Sequence, residues 1–350
     1  MVSDVSTYKL AGVDITAADH VKTRMGPAIR STFGPRVLTD VGPLGGFGGL
    51  YSIDRLGVPS PVLVGSADGV GTKLKIAFLL EQHATLGLDL VNHCLNDVLT
   101  TGADPLFFMD YFATSDLRPE VALAVVTGIA EACRFHGISL LGGETAQMPG
   151  FYQSGEYDLA GFMVGVVARD AILGPERVRC GDSIVGLPSS GLHTNGYSLA
   201  RRVFALDGDP VVARRRLAER VPDLGRTLGE ELLEPHRSYR PVLREHISTI
   251  HALAHITGGG LIENPPRAIK EDLAIRLDAS KWDEPPIFNL IQRIGRVPQS
   301  EMDRTFNRGL GMLAFVAPEH GAQMVESIPG ATIVGEVIQR IGDDAVEVIR

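Results

Sequence analysis

The chain has 350 residues, 44% of them hydrophobic, which is enough for two hydrophobic cores, so we expect two domains. Its formal net charge of −9 argues against nucleic acid or an anionic membrane as the main partner. Cys94, Cys133 and Cys180 lack zinc or redox spacing, and we interpret them as small core residues in a reducing compartment. With no run of about 18 apolar residues and no secretion signal, the sequence predicts a cytoplasmic protein that does not enter a membrane.

The first distinctive segment is rich in glycine and contains a single aromatic residue. Within residues 42–49, Gly45, Gly46 and Gly48 flank Phe47. Such a segment is mobile, and an exposed Phe could close over a ligand as a lid. The alternative is an ordinary flexible loop whose Phe is buried in the core.

Residues 62–75 have the pattern of a strand, a glycine-rich turn and a helix. Gly65, Gly69 and Gly71 would let backbone amides converge on an anion near the start of the helix. Asp68 lies in the same turn, and because a carboxylate repels phosphate, it fits best as a ligand of a divalent cation that bridges to phosphates. The order of residues differs from that of a P-loop, and a plain tight connection is the alternative.

The next predicted element is a helix within residues 86–102, with one apolar and one polar face. We interpret Asp89 and His93 as part of an ordinary solvated face. Asn96 and Asp97 are less ordinary, because short polar residues have low helix propensity and Glu or Lys would serve solubility better there.

Two further acids follow the helix. The strand at residues 105–113 is so apolar that Asp110 should be at least partly buried, either beside a metal or bonded to the backbone. After a helix over residues 119–136, a strand at 138–141 opens onto a turn in which glycines flank Glu144. With Asp68 and Asp97, Glu144 gives enough carboxylates for one or two magnesium ions, unless it is a solvated turn residue.

A strand at 159–167 closes the first domain, and the segment that begins at Arg169 marks the boundary. We therefore predict domains at residues 1–168 and 169–350, in an α/β (α+β) fold in which each domain packs a mixed sheet against helices. The second half has predicted strands near 182–187, 273–277, 311–317 and 331–338, and predicted helices near 195–206, 227–246, 285–294 and 318–327.

Two loops of the second half carry histidines next to glycines and small polar residues. His193 lies between a strand and a helix, where it could act as a general acid or base or contact phosphate, although a lone histidine is more often structural. His255 precedes three glycines at 258–260, whose amides offer another anion site. Asn307 either contacts a substrate amide or, more in keeping with its sequence context, caps a turn.

Eight segments, in order and at matching spacing, resemble the aminoimidazole ribonucleotide synthetase family of purine biosynthesis. They are GGFGGL, SADGVGTK, NDV, DPLFFMDYFAT, GGETAQMPG, SSGLHTNGYSL, HITGGG and TFNRGLGM, and together they cover nearly the whole chain. This coverage is far more specific than any single motif.

The resemblance implies an ATP-dependent cyclo-ligase. ATP would phosphorylate the formyl amide oxygen of formylglycinamidine ribonucleotide, and the amidine nitrogen would then attack the activated carbon, giving aminoimidazole ribonucleotide, ADP and phosphate. It also implies a homodimer in which the N-terminal, ATP-binding domains pair through a β-barrel-like interface, while the C-terminal domain binds the substrate.

The resemblance also implies roles for individual residues. Magnesium would be held by Asp68, Asp97 and Glu144, and the catalytic residues would be His193, His255 and Asp68. The ATP-binding residues would be Gly45, Gly46, Phe47, Gly48, Gly69, Gly71, Thr72, Lys73, Asp110 and Thr145. The substrate-binding residues would be Ser190, Asn195, Gly258, Gly259, Gly260 and Asn307.

Some residues depart from the family pattern, and related families with other functions share the architecture. Ala67 stands where the family usually has Thr, and Gln147 where it often has Glu. Selenophosphate synthetase, thiamine-phosphate kinase, the hydrogenase maturation factor and formylglycinamidine synthetase share the architecture. The first needs a reactive residue near the N-terminus and the third a C-terminal Cys, yet no Cys precedes Cys94 and the chain ends in Arg350. A non-catalytic nucleotide sensor would have lost the second-half loops, which are intact.

Overall fold

The computed structural model describes residue 9 and residues 12–39, 48–54 and 56–350. Its helices are α1 (Ile15–Arg30), α2 (Leu74–Leu80), α3 (Ala84–Leu99), α4 (Pro119–His136), α5 (Tyr197–Val203), α6 (Pro210–Ala218), α7 (Leu228–Leu232), α8 (Arg240–Leu243), α9 (Gly260–Glu263), α10 (Pro286–Gly295), α11 (Gln299–Thr305) and α12 (Pro318–Ser327). Its strands are β1 (Pro61–Gly69), β2 (Asp104–Thr114), β3 (Ser139–Gln147), β4 (Tyr157–Ala168), β5 (Ser183–Pro188), β6 (Arg220–Val221), β7 (Arg226–Thr227), β8 (Ile250–His255), β9 (Leu273–Asp278), β10 (Leu310–Val316), β11 (Thr332–Gln339) and β12 (Val346–Ile349). No helix in these ranges is long and apolar enough to span a bilayer.

The first sheet has the strand order β1-β4-β2-β3, with β2 and β3 parallel and the other pairs antiparallel. Two segments that we predicted as glycine-rich turns lie inside its strands. β1 continues through Gly65 and Asp68, and β3 includes Glu144. Those predictions were wrong because glycine is common in turns but is also tolerated in strands, where it weakens the local pattern. Gly71, just after β1, does adopt a positive φ, of 56°.

The first sheet has one covered face and one open face. α3 packs against β1 and β4, and α4 packs against α3 and β3. Asp68 of β1 and Asp110 of β2 are both in register with Gly161 of β4, so both carboxylates belong to the covered face. The next residue of β4, Phe162, points to the open face, where it is 42% exposed.

The second sheet has the order β12-β9-β11-β5-β10-β8 and is antiparallel except for the pair β12 and β9. The four predicted strands of the second half are confirmed as β5, β9, β10 and β11. The predicted helix at 227–246 was wrong, because α7 ends at Leu232 and α8 begins only at Arg240. Pro235 lies between them, and proline disfavours helical geometry in the residue before it.

The largest hydrophobic core contains residues of both halves of the chain. It joins Leu90 and Phe108 of the first half to Leu217 and Phe288 of the second. Two smaller cores contain alternate residues of β10, so they lie on opposite faces of the second sheet. The prediction of core cysteines is confirmed for Cys94 and Cys133 but was wrong for Cys180, which is exposed.

Candidate active site

The polar face of α3 is covered by the extended segment between α7 and α8. His236 N donates to Asp89 Oδ1 at 2.7 Å, and Tyr239 N donates to Asn96 Oδ1 at 3.0 Å. Asp89 and His93 are therefore 0% and 3% exposed, and the prediction that they are solvated was wrong. The covering segment is 147 residues away from Asp89 along the chain, so helical periodicity could not reveal it.

Lys73 forms a buried ion pair between the two halves. Its Nζ donates to Asp89 Oδ1 at 2.8 Å and to the carbonyls of Glu234 at 2.7 Å and His193 at 3.2 Å. Both charged side chains are 0% exposed. The assignment of Lys73 to the triphosphate does not fit this geometry, because all three N–H donors of the ammonium group are used inside the protein.

Four buried imidazoles meet beside this ion pair. They belong to His93 of α3, His193 of the loop after β5, His236 of the covering segment and His255 at the end of β8. Ring centroids lie 4.0 Å apart for His193 and His236, 5.1 Å for His236 and His255, and 5.3 Å for His93 and His255. Sequence reasoning selected His193 and His255 but missed the other two. Pro235, directly before His236, was the available signal, since it argued against a continuous helix there.

Two carboxylates complete the cluster. Asp97 Oδ1 lies 2.8 Å from His255 Nδ1, and its Oδ2 accepts from Ser66 Oγ at 3.2 Å. Asp68 Oδ2 lies 2.9 Å from His93 Nε2. The Asp68 and Asp97 side chains are 39% and 34% exposed, so these carboxylates face both the imidazoles and solvent.

Burial and charge set the protonation of the cluster. Burial lowers the pKa of His193 and His236 well below the ordinary value, and the neighbouring positive charges lower it further. Burial also lowers the pKa of His255, although Asp97 opposes the shift. Burial acts in the same direction on His93, but the Asp68, Asp97 and Asp89 carboxylates together outweigh it and the pKa of His93 is raised. Burial raises the pKa of Asp97, but the hydrogen bond with His255, the charges of His255 and His93 and the hydrogen bond from Ser66 together outweigh it, and the pKa falls.

Several predicted substrate residues lie next to the cluster. Ser190 N donates to His193 Nε2 at 3.1 Å. Asn195 Nδ2 lies 3.4 Å from Thr194 Oγ1, and a Cβ on Gly258 would lie only 3.2 Å from Asn195 Oδ1. The Ser190 backbone and the Asn195 side chain therefore lie beside the cluster, and Gly258 lies against Asn195. Ser190 Oγ instead donates to the carbonyl of Pro235 at 2.6 Å.

Three other predicted substrate residues have internal roles. Asn307 is 3% exposed, and it bonds to Ser189 Oγ, the carbonyl of Gly191 and the amide of Gly309. The turn interpretation of Asn307 is therefore the one that the geometry favours. Gly259 and Gly260 have φ values of 102° and 56°, and a Cβ on Gly260 would overlap the backbone of Asp303.

Asp110 and Glu144 do not join the cluster. The Asp110 carboxyl lies against Gly143, and burial, with a smaller effect of Glu144, raises its pKa to about 7. Glu144 is exposed and in register with Tyr111, one residue from Asp110, so it lies on the open face of the sheet. The prediction that Glu144 shares a cation with Asp68 and Asp97 does not fit this geometry.

The predicted nucleotide residues fall into three groups. Gly69 N donates to Asp68 Oδ1 at 2.7 Å, and Thr72 Oγ1 lies 3.1 Å from Ser198 Oγ, so this segment is next to the cluster. Thr145 of β3 is half-buried opposite Phe112 and is not part of the cluster. Gly45, Gly46 and Phe47 lie outside the described residues, while Gly48 is described and exposed.

Family models match both halves of the chain. The AIR synthase related protein N-terminal domain covers residues 55–167, and the AIR synthase related protein C-terminal domain covers residues 179–346. A phosphoribosylformylglycinamidine cyclo-ligase of Trichlorobacter lovleyi is 46% identical over 95% of this chain and 95% of its own length. The chain belongs to the phosphoribosylformylglycinamidine cyclo-ligase family. As a cyclo-ligase family member it is an enzyme, a ligase with a role in purine biosynthesis.

Solved structures of other proteins share the fold of this cyclo-ligase family member. A thiamine-monophosphate kinase from Stenotrophomonas maltophilia matches with a TM-score of 0.66 and 18% identity over 96% of both chains. The hydrogenase maturation protein HypE in complex with ATP matches with a TM-score of 0.59 and 17% identity, over 91% of this chain and 88% of that one. At such identities the likeness shows the fold alone.

Proposed function

We propose that the protein converts formylglycinamidine ribonucleotide to aminoimidazole ribonucleotide with ATP, in the cytoplasm. The formyl amide oxygen first attacks the γ-phosphorus of ATP, and ADP leaves. The amidine nitrogen then attacks the activated carbon, the bond from that carbon to the phosphorylated oxygen breaks, and the nitrogen loses a proton as the ring closes. The observation that carries the proposal is the meeting of Asp68 and Asp97 with buried imidazoles, in a chain of the cyclo-ligase family.

ATP and magnesium fit the first-half side of this cluster. Asp68 and Asp97 present partly exposed carboxylate oxygens, the donors that magnesium prefers. Magnesium bound there would neutralise charge on the phosphoryl oxygens during transfer. Gly71 and Thr72 adjoin Asp68, so their backbone amides and the Thr hydroxyl are the proposed phosphate contacts, whereas the Gly69 amide already donates to Asp68 Oδ1. A solved relative in fold that binds ATP supports the nucleotide assignment.

The second-half side supplies neutral imidazoles for proton movement. Burial keeps the pKa of both His193 and His255 below the ordinary value, so each can accept a proton near neutral pH. His255 touches Asp97, and that carboxylate would stabilise the imidazolium formed when the ring closes. Ser190 N fixes the orientation of the His193 ring. We assign proton uptake to His255 and orientation of the formyl and amidine groups to His193 and Asn195.

The test is a product balance with purified full-length protein. With formylglycinamidine ribonucleotide, ATP and magnesium, we expect aminoimidazole ribonucleotide, ADP and phosphate in equal amounts. Thiamine monophosphate is the control substrate, because a kinase with this fold exists, and we expect no turnover of it. ADP formation without ring closure, or turnover of thiamine monophosphate alone, would contradict the proposal.

We propose further that the open face of the first sheet pairs with the same face of a second copy. Leu63, Met109 and Phe162 are 59%, 36% and 42% exposed there. Phe162 is in register with both Ala67 and Met109, so the apolar side chains are contiguous across three strands. Large exposed apolar patches mark interaction surfaces, and an identical patch on each copy suits a two-fold dimer.

Sedimentation of the wild type and of Phe162→Asp tests the dimer. We expect a dimeric wild type and a mainly monomeric variant, because a carboxylate would be buried without a partner in the interface. Phe135→Asp is the matched control, since Phe135 is 75% exposed on α4 and should not affect assembly. A monomeric wild type, or an equal effect of both variants, would refute this interface.

A further inference from the structure

The imidazole cluster contains more nitrogen donors than the proposed reaction uses. His93 and His236 have no step in it, although they are 3% and 1% exposed and lie 5.1 Å apart between ring centroids. Histidine is a common metal ligand, so buried histidines that the reaction does not use are candidates for binding a metal. The arrangement of nitrogen and oxygen atoms shows which subset could bind a cation.

Among the residues that the structure describes, two triads bring their ligand atoms within 4.8 Å of one another, and the angles between their rings distinguish them. In the triad of His193, His236 and His255, the first two rings stack at 20° with centroids 4.0 Å apart, so their lone pairs lie in two separate and nearly parallel planes. In the triad of His93, Asp97 and His255, the two rings are at 88°. Lone pairs on crossed rings can converge on one ion, which favours the second triad.

The hydrogen bonds around His236 determine which nitrogen of His255 faces Asp97. Asn96 Nδ2 is oriented by the carbonyl of Arg237, at 2.8 Å, and lies 3.2 Å from His236 Nε2, which therefore accepts. His255 Nε2, 3.0 Å from the same atom, must then donate. Nδ1 is therefore the His255 nitrogen that faces Asp97 Oδ1, 2.8 Å away. One proton shared between these two atoms satisfies the contact, and a divalent cation would take the place of that proton.

His93 is oriented in a similar way. Its Nδ1 lies 3.0 Å from Thr194 Oγ1, which holds the ring with Nε2 toward the carboxylates. Nε2 is buried and lacks a hydrogen bond of acceptable geometry, although Asp68 Oδ2 is 2.9 Å away. Metal-binding histidines are held in this way through their second ring nitrogen.

We propose that His93, Asp97 and His255 form a site for a nitrogen-preferring divalent cation of the zinc and cobalt class, with Asp68 beside its open position. Two imidazoles and a carboxylate are the usual protein ligands of such ions, whereas magnesium prefers oxygen alone. With metal–ligand distances of about 2.0–2.1 Å, tetrahedral ligands lie roughly 3.4 Å apart, so the 2.8 Å contact would open by about 0.6 Å. This cation would compete with magnesium for Asp97, which the proposed function also uses.

The test uses Co²⁺ and the full-length, chelator-treated protein without nucleotide or substrate. We expect visible absorption that saturates at one Co²⁺ per chain, is lost on adding Zn²⁺ and resists excess Mg²⁺. Thr194→Val should weaken binding by about 10-fold to 100-fold through the orientation of His93, and His93→Gln or His255→Gln should weaken it more. His251→Gln is the matched control, since His251 pairs with Asp182 outside the cluster.

Binding in His93→Gln and His255→Gln equal to that of the wild type would overturn the site. If those variants do not fold, pulsed EPR of the Mn²⁺-loaded wild type decides the question, because imidazole ligation gives couplings to ¹⁴N and their absence refutes the proposal. The two proposals fail separately. Turnover without Co²⁺ binding would refute the proposed metal site and support the proposed cyclo-ligase activity. Co²⁺ binding without ring closure would support the metal site and refute the cyclo-ligase activity.

Discussion

Asp89 and Asp110 are both buried acids on the covered side of the first sheet, but their surroundings are opposite. Asp89 accepts hydrogen bonds from Lys73 Nζ and His236 N, and it lies where the two halves of the chain meet. Asp110 is 9% exposed and lies against Gly143, and no basic side chain in the described ranges forms an ion pair with it. Burial raises the pKa of both, but for Asp89 the positive charge of Lys73 opposes the shift.

The comparison shows that burial alone does not decide the charge of an acid. Asp89 belongs to an ion pair that joins the two halves, whereas Asp110 has no such partner among the described residues and its raised pKa of about 7 leaves it only partly ionised near neutral pH. Asp68 and Asp97 lie between these cases, since they are partly exposed and contact imidazoles. That intermediate environment is the one that suits a removable cation.

The largest expected effect is a loss of stability when the buried ion pair of Lys73 and Asp89 is broken. Lys73→Met should lower the free energy of unfolding by about 3–5 kcal/mol, because it leaves Asp89 buried without its partner. Urea denaturation measures the change, and Lys73→Met combined with Asp89→Asn should recover part of it. Lys75→Met is the control, since Lys75 is 39% exposed in its pair with Glu156 and should cost less than about 1 kcal/mol. Equal losses of unfolding free energy in Lys73→Met and Lys75→Met would contradict the expectation that the buried ion pair matters more for stability than the surface pair.

The second largest effect is on turnover, and it compares Asp68 in the candidate active site with Asp110 outside it. Asp68→Asn should lower turnover by about 10²–10³-fold while the protein stays folded, because the variant loses a carboxylate that we assign to the cation. Asp110→Asn should change turnover by less than about threefold, because its side chain is outside the cluster. Steady-state kinetics with a circular dichroism control measures both. A larger loss of turnover in Asp110→Asn would support the predicted role of Asp110 in binding ATP.

The third effect is a pH dependence of stability. Asp110 has a folded pKa of about 7 and an ordinary value of 3.8, so the folded state binds the proton more tightly and this group reduces stability as the pH rises from about 4 to about 7. Asp110→Asn should remove about 2–3 kcal/mol of that decline between pH 5 and pH 8. Denaturant titrations at several pH values measure it. Asp158→Asn is the control, since Asp158 is an exposed acid on β4. If both variants showed the same dependence of unfolding free energy on pH, the attribution of the decline to Asp110 would be contradicted.

The smallest effect concerns the glycines beside Asp110. A Cβ on Gly143 would overlap the Asp110 carboxylate, so Gly143→Ala should cost about 1–3 kcal/mol. Gly142→Ala is the neighbouring control, because a Cβ there has open space within 4 Å and the backbone φ is not positive. It should be neutral or slightly stabilising. Thermal unfolding distinguishes the two, and equal shifts would show that Asp110 has room to move.

Much of the fold was predictable because its signals are local. The end of α4 at His136, before Gly137 with a φ of 69°, follows from a glycine cap, and β5, β9, β10 and β11 follow from apolar runs between turns. Glycines inside β1 and β3 obscured where those strands end. The break at Pro235 was readable from the sequence but was outweighed by the helical pattern around it.

The site was predictable where a residue type is unusual for its position. Asp68 and Asp97 were selected because a carboxylate in a glycine-rich segment and a short polar residue within a helix both need an explanation, and the structure places both beside the imidazoles. Lys73, Asp89 and His93 were misjudged because their partners come from residues far away in sequence. Such contacts arise only when the second half folds over α3.

The exposure of Cys180 has a practical consequence. Burial raises the pKa of the Cys94 and Cys133 thiols, which keeps them protonated and out of reach of reagents. A maleimide spin label should therefore attach to one thiol per native chain. In the proposed dimer, the two labels would form a single symmetry-related pair, so one distance from dipolar spectroscopy would measure the quaternary arrangement without any engineered cysteine.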